Sequence, residues 1–206
     1  VTMGTWAVHA PVVLENEFVR LSPLTAADRD GLRTIALAPD IWRYFVTRID
    51  TPEDYEAFFD ATLADHQACR RAVFVITDKR TGRVAGSMSF GNMAEADGRL
   101  EIGWSWLGLD FQGRGVNRWA KYLLLRHAFE NLGALRVEFK TDELNKQARR
   151  GLLNIGAREE GTLRSFNPMP DGRRRNAVFY SVLRDEWPEV REQLARGPRV
   201  VRQEGA

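Results

Sequence analysis

Apolar positions along this chain recur at two spacings, and the switches between them divide it into strands and helices. Strand-like runs occupy Phe18–Ser22, Ala72–Thr77, Gly82–Phe90, Arg99–Leu107, Leu135–Thr141, Gly156–Phe166 and Asn176–Leu183. The second and third flank a polar turn containing Lys79 and Gly82, which predicts an antiparallel hairpin, and the last two flank Pro170-Asp171-Gly172. Thr25 caps a predicted helix that runs to about Ala38, where Pro39 stops it. Thr51-Pro52-Glu53-Asp54 combines an N-cap hydroxyl, a first-turn proline and early acids, and starts a helix reaching about Arg70. Val116, Ala120, Leu123, Leu124, Ala128 and Leu132 form one apolar helical face, and a shorter helix follows Asn145 and closes at Ile155-Gly156-Ala157. The pattern predicts an α/β (α+β) chain: a mixed central sheet of about seven strands flanked by helices.

The sharpest switch lies between Leu100 and Asn117, where a strand breaks into a glycine turn and then a helix. Glycine lets the backbone bend without a Cβ clash. The unpaired N–H groups from about Gly113 to Asn117 then converge at the positive end of the helix dipole, which is a seat for phosphate or pyrophosphate. A Walker loop requires Gly-Lys-Ser/Thr, and here Val116, Asn117 and Arg118 follow the glycines; a dinucleotide fingerprint requires a third glycine where Arg118 stands. Both are excluded. The strand at Leu135–Thr141 completes a strand–helix–strand unit, whose right-handed crossover makes its two strands parallel.

What remains, Gln112-x-x-Gly115-x-Asn117, resembles the Gln/Arg-x-x-Gly-x-Gly/Ala pyrophosphate loop of the GNAT acyl-CoA-dependent N-acetyltransferases, with Asn117 replacing the final small residue. With Asn145, Glu160-Gly161-Thr162-Leu163-Arg164 and Glu186-Trp187, the order from about Glu15 to Trp187 is similar to the RimJ/RimL-like branch, named for acetylation of ribosomal-protein N-termini. The resemblance implies a GNAT fold with a splayed parallel strand pair. It implies acetyl-CoA, or another acyl-CoA, as cosubstrate, and transfer to a primary amine of a protein N-terminus or a small molecule by direct attack in a ternary complex. The pyrophosphate would lie on Gln112, Gly113, Arg114, Gly115, Val116 and Asn117. The acyl-pantetheine arm would pair with Leu107 and Leu109, with Gly108 as a bend opening the gap, and would face Asn145, which also reads as a simple helix cap. Arg149 and Arg150 read equally as phosphate ligands or a solvated face.

By the same resemblance, Glu101 assists removal of the amine proton, directly or through water, against the plainer reading of an outward-facing glutamate. Backbone N–H near Leu107 would meet the oxyanion. The acceptor pocket would draw on Trp42, Tyr44, Phe45, Arg164, Phe166 and Asn176, each of which also reads as core or rim. Two positions depart from the family: Leu152 stands where a tyrosine acid is common, and Ala148 where the branch often has serine. The missing proton donors favour acceptors of depressed amine pKa. A module that binds acyl-CoA without turnover is the alternative.

Composition narrows the frame. The 206 residues, with 44% hydrophobic and 28% charged, are read as one domain at 1–206 with a flexible tail at 195–206. Thirty Lys+Arg against 28 Asp+Glu argues against nucleic acid as a partner, and Arg173-Arg174-Arg175 reads as a solvated hairpin tip that would otherwise steer an acidic substrate or ribosomal RNA. Cys69 is the one cysteine, so no intramolecular disulfide forms and a cytoplasmic location is expected, while the resemblance implies a bacterial-type enzyme. No apolar run reaches membrane-spanning length. His9, His66 and His127 lack metal-ligand spacing, so no metal is expected. A homodimer is compatible with the sequence.

Overall fold

A computed structural model describes residues 5–196. In chain order the elements are α1 (Thr5–His9), β1 (Leu14–Glu15), β2 (Val19–Pro23), α2 (Arg29–Ala36), α3 (Pro39–Trp42), α4 (Pro52–Gln67), β3 (Ala72–Asp78) and β4 (Arg83–Ala94). They continue with β5 (Arg99–Leu107), α5 (Val116–Arg126), β6 (Arg136–Asp142), α6 (Lys146–Asn154), β7 (Arg158–Pro168), β8 (Arg174–Leu183) and α7 (Trp187–Ala195). One eight-stranded sheet runs β1-β2-β3-β4-β5-β6-β8-β7; every pairing is antiparallel except β5–β6. The strand beyond the expected seven is β1, whose two residues are too short to leave a pattern.

Period-two alternation gives the sheet two buried faces. Leu100, Ile102, Val137, Phe139, Val178 and Tyr180 pack with the apolar face of α5 and with Trp187, Val190 and Leu194 of α7. Val73, Val75 and Trp106 pack on the other side with Leu32, Trp42, Tyr55 and Phe59 from α2, α3 and α4. Glu101, between Leu100 and Ile102, is directed to this second face.

The predicted helix from Thr25 is shorter and broken. Thr25 caps a single tight turn, Ala26–Asp28, its N–H and hydroxyl both donating to Asp28 at 2.8 Å, and α2 then ends at Ala36. Pro39 opens α3 as well as ending what precedes it, since a missing N–H costs nothing in a first helical turn. The start of α4 matches its signal: Thr51 Oγ1 accepts from Asp54 N–H at 3.1 Å while the Asp54 carboxylate accepts from Thr51 N–H at 2.9 Å. This helix stops at Gln67, before Cys69 turns left-handed at φ 56°. Ala195, expected at the start of the tail at 195–206, instead closes α7, and the rest of that tail from 197 lies outside the described residues. Among the described residues, no helix is long and apolar enough to cross a membrane.

Candidate active site

The site begins where two parallel strands part. β5 and β6 pair at three positions only, ending at Glu101↔Glu138. Beyond that point β5 stays with β4 as far as Gly86↔Leu107, and β6 stays with β8 as far as Asp142↔Ala177. A bulge accompanies the separation. Met88 of β4 stands against both Trp104 and Ser105, between the pairs Ser89↔Gly103 and Ser87↔Trp106, and Trp104 takes φ 50°. Such an insertion bends the strand that carries it. The bulge therefore lies at Trp104 and not at Gly108, whose small size serves packing instead: a Cβ there would meet Ile35 at 3.0 Å.

One cavity, of about 550 Å³, opens at the carboxyl ends of the parted strands and is lined by Leu109, Gln112, Asn145 and Tyr44 among others. Gln112 Nε2 donates to the Leu107 carbonyl at 3.1 Å and so ties the glycine turn to the strand end. Gly113 and Gly115 take φ 72° and 85°, and Gly115 is the N-cap of α5. No carbonyl among the described residues accepts from the N–H groups of 113–117; the first return bond is Trp119 N–H to Gly115 C=O at 3.0 Å. Beneath them Lys121 Nζ donates to Asn117 Oδ1 at 2.6 Å, and burial without a carboxylate partner pushes the ammonium down to about 8. Asn145 both caps α6, through Ala148 N–H to Oδ1 at 3.0 Å, and lines the cavity. Arg149 is committed elsewhere, donating to Tyr180 Oη at 3.1 Å and to Glu159 at 3.2 Å, whereas Arg150 is exposed.

A second cavity, of about 590 Å³, lies on the α4 face of the same gap; Glu101, Glu138, Lys140, Phe166, Phe179 and Trp6 are among its lining residues. Glu101 is buried at 5% exposure, which makes its partners decisive: Oε2 accepts from Asn92 Nδ2 at 2.6 Å and from Lys140 Nζ at 3.0 Å. Lys140 itself sits 5.6 Å from the Phe166 ring centroid and 6.0 Å from that of Trp104. The plainer reading of Glu101 as an outward-facing residue is thereby corrected: the carboxylate is held inward by an amide and an ammonium.

The residues expected around an acceptor do not form one group. Phe166 lines the second cavity, and Tyr44 lines the first. Trp42 is corrected to a packing residue: it is buried against Phe45, Phe58 and Trp106, and its Nε1 donates to Ala36 C=O at 2.7 Å. Phe45 packs on it with ring centroids 5.2 Å apart. Arg164 is exposed on β7 and lines neither cavity. Asn176 braces the hairpin, accepting from Ser165 N–H at 2.9 Å and donating to Glu143 at 2.9 Å. Arg173 and Arg174 bond Asp142 and Ser165, while Arg175 turns inward and is buried, so the triplet is not a uniformly solvated tip. Sequence reasoning missed Asn92 and Lys140, the two partners of Glu101. Lys140 alone left a signal, one polar position alternating with Val137 and Phe139 on a strand that faces the gap.

A parted parallel pair with a free N–H array at one end of the gap and a buried carboxylate at the other is an acyltransferase arrangement. The chain matches the family described as acetyltransferase (GNAT) domain over residues 19–158 and belongs to that family. It is 32% identical over 106 residues to "Putative ribosomal N-acetyltransferase YdaF" of Bacillus subtilis (strain 168), a match covering 52% of this chain and 57% of that protein. It is 26% identical to "Uncharacterized N-acetyltransferase p20" of Bacillus licheniformis, covering 84% of this chain and 97% of that one. The chain thus spans little more than half of the first relative and nearly all of the second. Among solved structures, a GCN5-related N-acetyltransferase from Brucella melitensis superposes with TM-score 0.84 at 27% identity, covering 90% of this chain and 85% of that one. These relatives agree with the RimJ/RimL-like resemblance.

Proposed function

We propose that this enzyme transfers an acetyl group from acetyl-CoA to a primary α-amine, by direct attack of the amine on the thioester. The observation that carries this reading is the parting of β5 and β6 after Glu101↔Glu138, with a cavity lined by Gln112 and Asn145 beside unsatisfied backbone donors and a second cavity lined by the buried Glu101 carboxylate. The N–H groups of 113–117 bind the pyrophosphate, and the pantetheine arm lies beside Asn145, against the end of β5 at Leu107 and the tight turn that Leu109 opens, so Leu109 is not the strand-edge partner expected from the sequence. Glu101, fixed by Asn92 and Lys140, takes up the amine proton directly or through a water. The chain acts as one catalytic domain with a tail at its carboxyl end.

The α-amine preference follows from proton bookkeeping. Lysine has a reference pKa of about 10.4 and an α-amine about 7.7–8.0, so a neutral ε-amine at pH 7 costs roughly 3 kcal/mol more, or about two powers of ten in rate. Ala148, and Leu152 in the core, supply no proton donor to offset that cost. The YdaF relative, named as a ribosomal N-acetyltransferase, supports a protein N-terminus as the acceptor. The experiment compares two peptides of one sequence, one with a free N-terminus and blocked lysine, the other reversed, using the parent protein and Glu101→Gln. Faster thiol release with the first peptide, lowered at least about tenfold in Glu101→Gln with unchanged CoA affinity, is expected. Faster release with the lysine peptide removes the α-amine reading, and full turnover in Glu101→Gln removes Glu101 as the base.

A further inference from the structure

Lys121 has no part in the reading above, and its setting is unusual. The side chain is 6% exposed, so water does little to screen its charge, and its hydrogen bond runs to a neutral group, Asn117 Oδ1 at 2.6 Å. Among the described residues no carboxylate forms an ion pair with it. Of the acids on the elements packed against α5, Glu15 of β1 pairs with Arg20 of β2 and with Lys79, Glu101 of β5 with Lys140, and Glu192 of α7 with Arg196, while Glu189 of α7 reaches no cation. Of the cations there, Arg99 and Arg191 pair with Glu138 and Glu130, and Arg118 of α5 itself donates to the Gln193 and Leu194 carbonyls. An ammonium taken out of water without a counter-ion is costly, so its counter-charge comes from outside the chain.

The helix locates that charge. Lys121 lies one turn into α5 from Asn117, and helical side chains lean toward the N-terminus, so the long stem carries the ammonium back to the first turn. The bond to Asn117 holds it there. Asn117 also ends the run of N–H groups, 113–117, from which no carbonyl among the described residues accepts. Three sources of positive potential therefore converge at the start of α5: the unpaired N–H groups, the end of the helix dipole and a full charge beneath them. Burial lowers the ammonium to about 8, which leaves it protonated at neutral pH. A diphosphate anion on the turn balances all three sources at once.

We propose that Lys121 is the internal counter-charge of the cofactor pyrophosphate, a binding residue that acts from beneath the glycine turn and is aimed by Asn117. The inference rests on the acetyl-CoA reading of that turn. It gives a reason for the size of Asn117, which stands where the resembling loops carry a small residue: the side-chain amide orients the ammonium while the backbone N–H faces the phosphate. It also couples the acetyl donor to a proton. Below pH 8 the ammonium is charged whether or not the cofactor is bound. Above pH 8 the free enzyme has released that proton and the pyrophosphate draws it back, so acetyl-CoA binds with proton uptake and loses affinity as pH rises.

The test is calorimetric titration with acetyl-CoA, whose acylated sulfur takes no part in the proton balance, in two buffers of different protonation enthalpy, for the parent chain and Lys121→Met. Methionine matches most of the lysine stem without its charge, so the variant keeps its core. At pH 7 the parent binds with little proton uptake, and at pH 9 it takes up about half a proton or more. In Lys121→Met, Kd for acetyl-CoA at pH 7 rises about tenfold and the uptake at pH 9 vanishes, while S-acetylpantetheine, which lacks the pyrophosphate, binds both proteins within about twofold. Equal acetyl-CoA affinity and equal proton uptake in the two proteins overturn the inference while leaving the acetyl-CoA reading intact. An equal loss of affinity for S-acetylpantetheine also overturns it, because the substitution has then disturbed the pocket as a whole. If Lys121→Met does not fold, the parent decides alone: acetyl-CoA bound at pH 9 without proton uptake removes Lys121 as the counter-charge. Failure of the parent to bind acetyl-CoA overturns both readings.

Discussion

Lys121 shows how a single side chain can oppose the fold that contains it. Its one hydrogen-bond partner is the neutral Asn117 amide, and burial lowers its pKa from 10.5 to about 8. Below pH 8 the ammonium is protonated in both folded and unfolded chains, and the cost of burying it is present in full. Between pH 8 and about 10.5 the unfolded chain keeps a proton that the folded chain has released, so stability rises with pH across that window. The shift corresponds to about 3 kcal/mol. Lys121→Met should therefore raise unfolding free energy at pH 7 by about 2–3 kcal/mol and flatten its rise between pH 8 and pH 10; urea melts across that range would show it. Parallel pH profiles for the two proteins would mean that Lys121 is not desolvated in solution. The same residue explains why part of the site escaped the sequence: a lysine in a helix reads as solvent-facing, and only the packing of α5 against its neighbours buries it.

At the scale of elements, the turn between β5 and α5 was legible because glycines in left-handed conformation and a helix start leave a sequence signature. Gly115, at φ 85°, has open space around its missing Cβ, the nearest atom being Trp119 Cδ1 at 3.8 Å. A side chain there meets backbone strain and no wall. Gly115→Val should thus cost about 1–2 kcal/mol of stability through the left-handed conformation, while turning the N–H groups of 113–117 away and raising Kd for CoA at least about tenfold. Calorimetry and thermal unfolding separate the two effects; unchanged CoA affinity would move the pyrophosphate elsewhere. The bulge at Trp104 was not legible. It depends on how many residues of β5 stand against β4, a quantity set by pairing rather than by the residue types, and the aromatic Trp104 gives no hint of φ 50°. The split between α2 and α3 was missed for a related reason. Pro39 signals an interruption but not whether a helix restarts on its far side.

For the whole molecule, the order of strands and helices was readable because each buries an apolar face at its own period, and the parallel pair followed from the crossover. The convergence of distant residues was not. Glu101 was singled out from its strand, yet Asn92 and Lys140, which hold its carboxylate, come from two other strands and meet it only through the sheet register. The amino-terminal helix α1 adds a contribution of the same kind. Thr5 and the Trp6 N–H bond Glu95, and Trp6 Nε1 donates to Leu132 C=O at 2.7 Å, which fastens the indole against the far end of the cavity that holds Glu101. Under the acceptor assignment proposed above, Thr5 and Trp6 would act as a depth gauge, setting how long a group beyond the reacting amine can be accommodated. Trp6→Leu should deepen that floor and shift kcat/KM toward acceptor peptides with a bulky second residue, relative to those with glycine or alanine there. An unchanged ratio would show that acceptor length is measured somewhere other than at this indole.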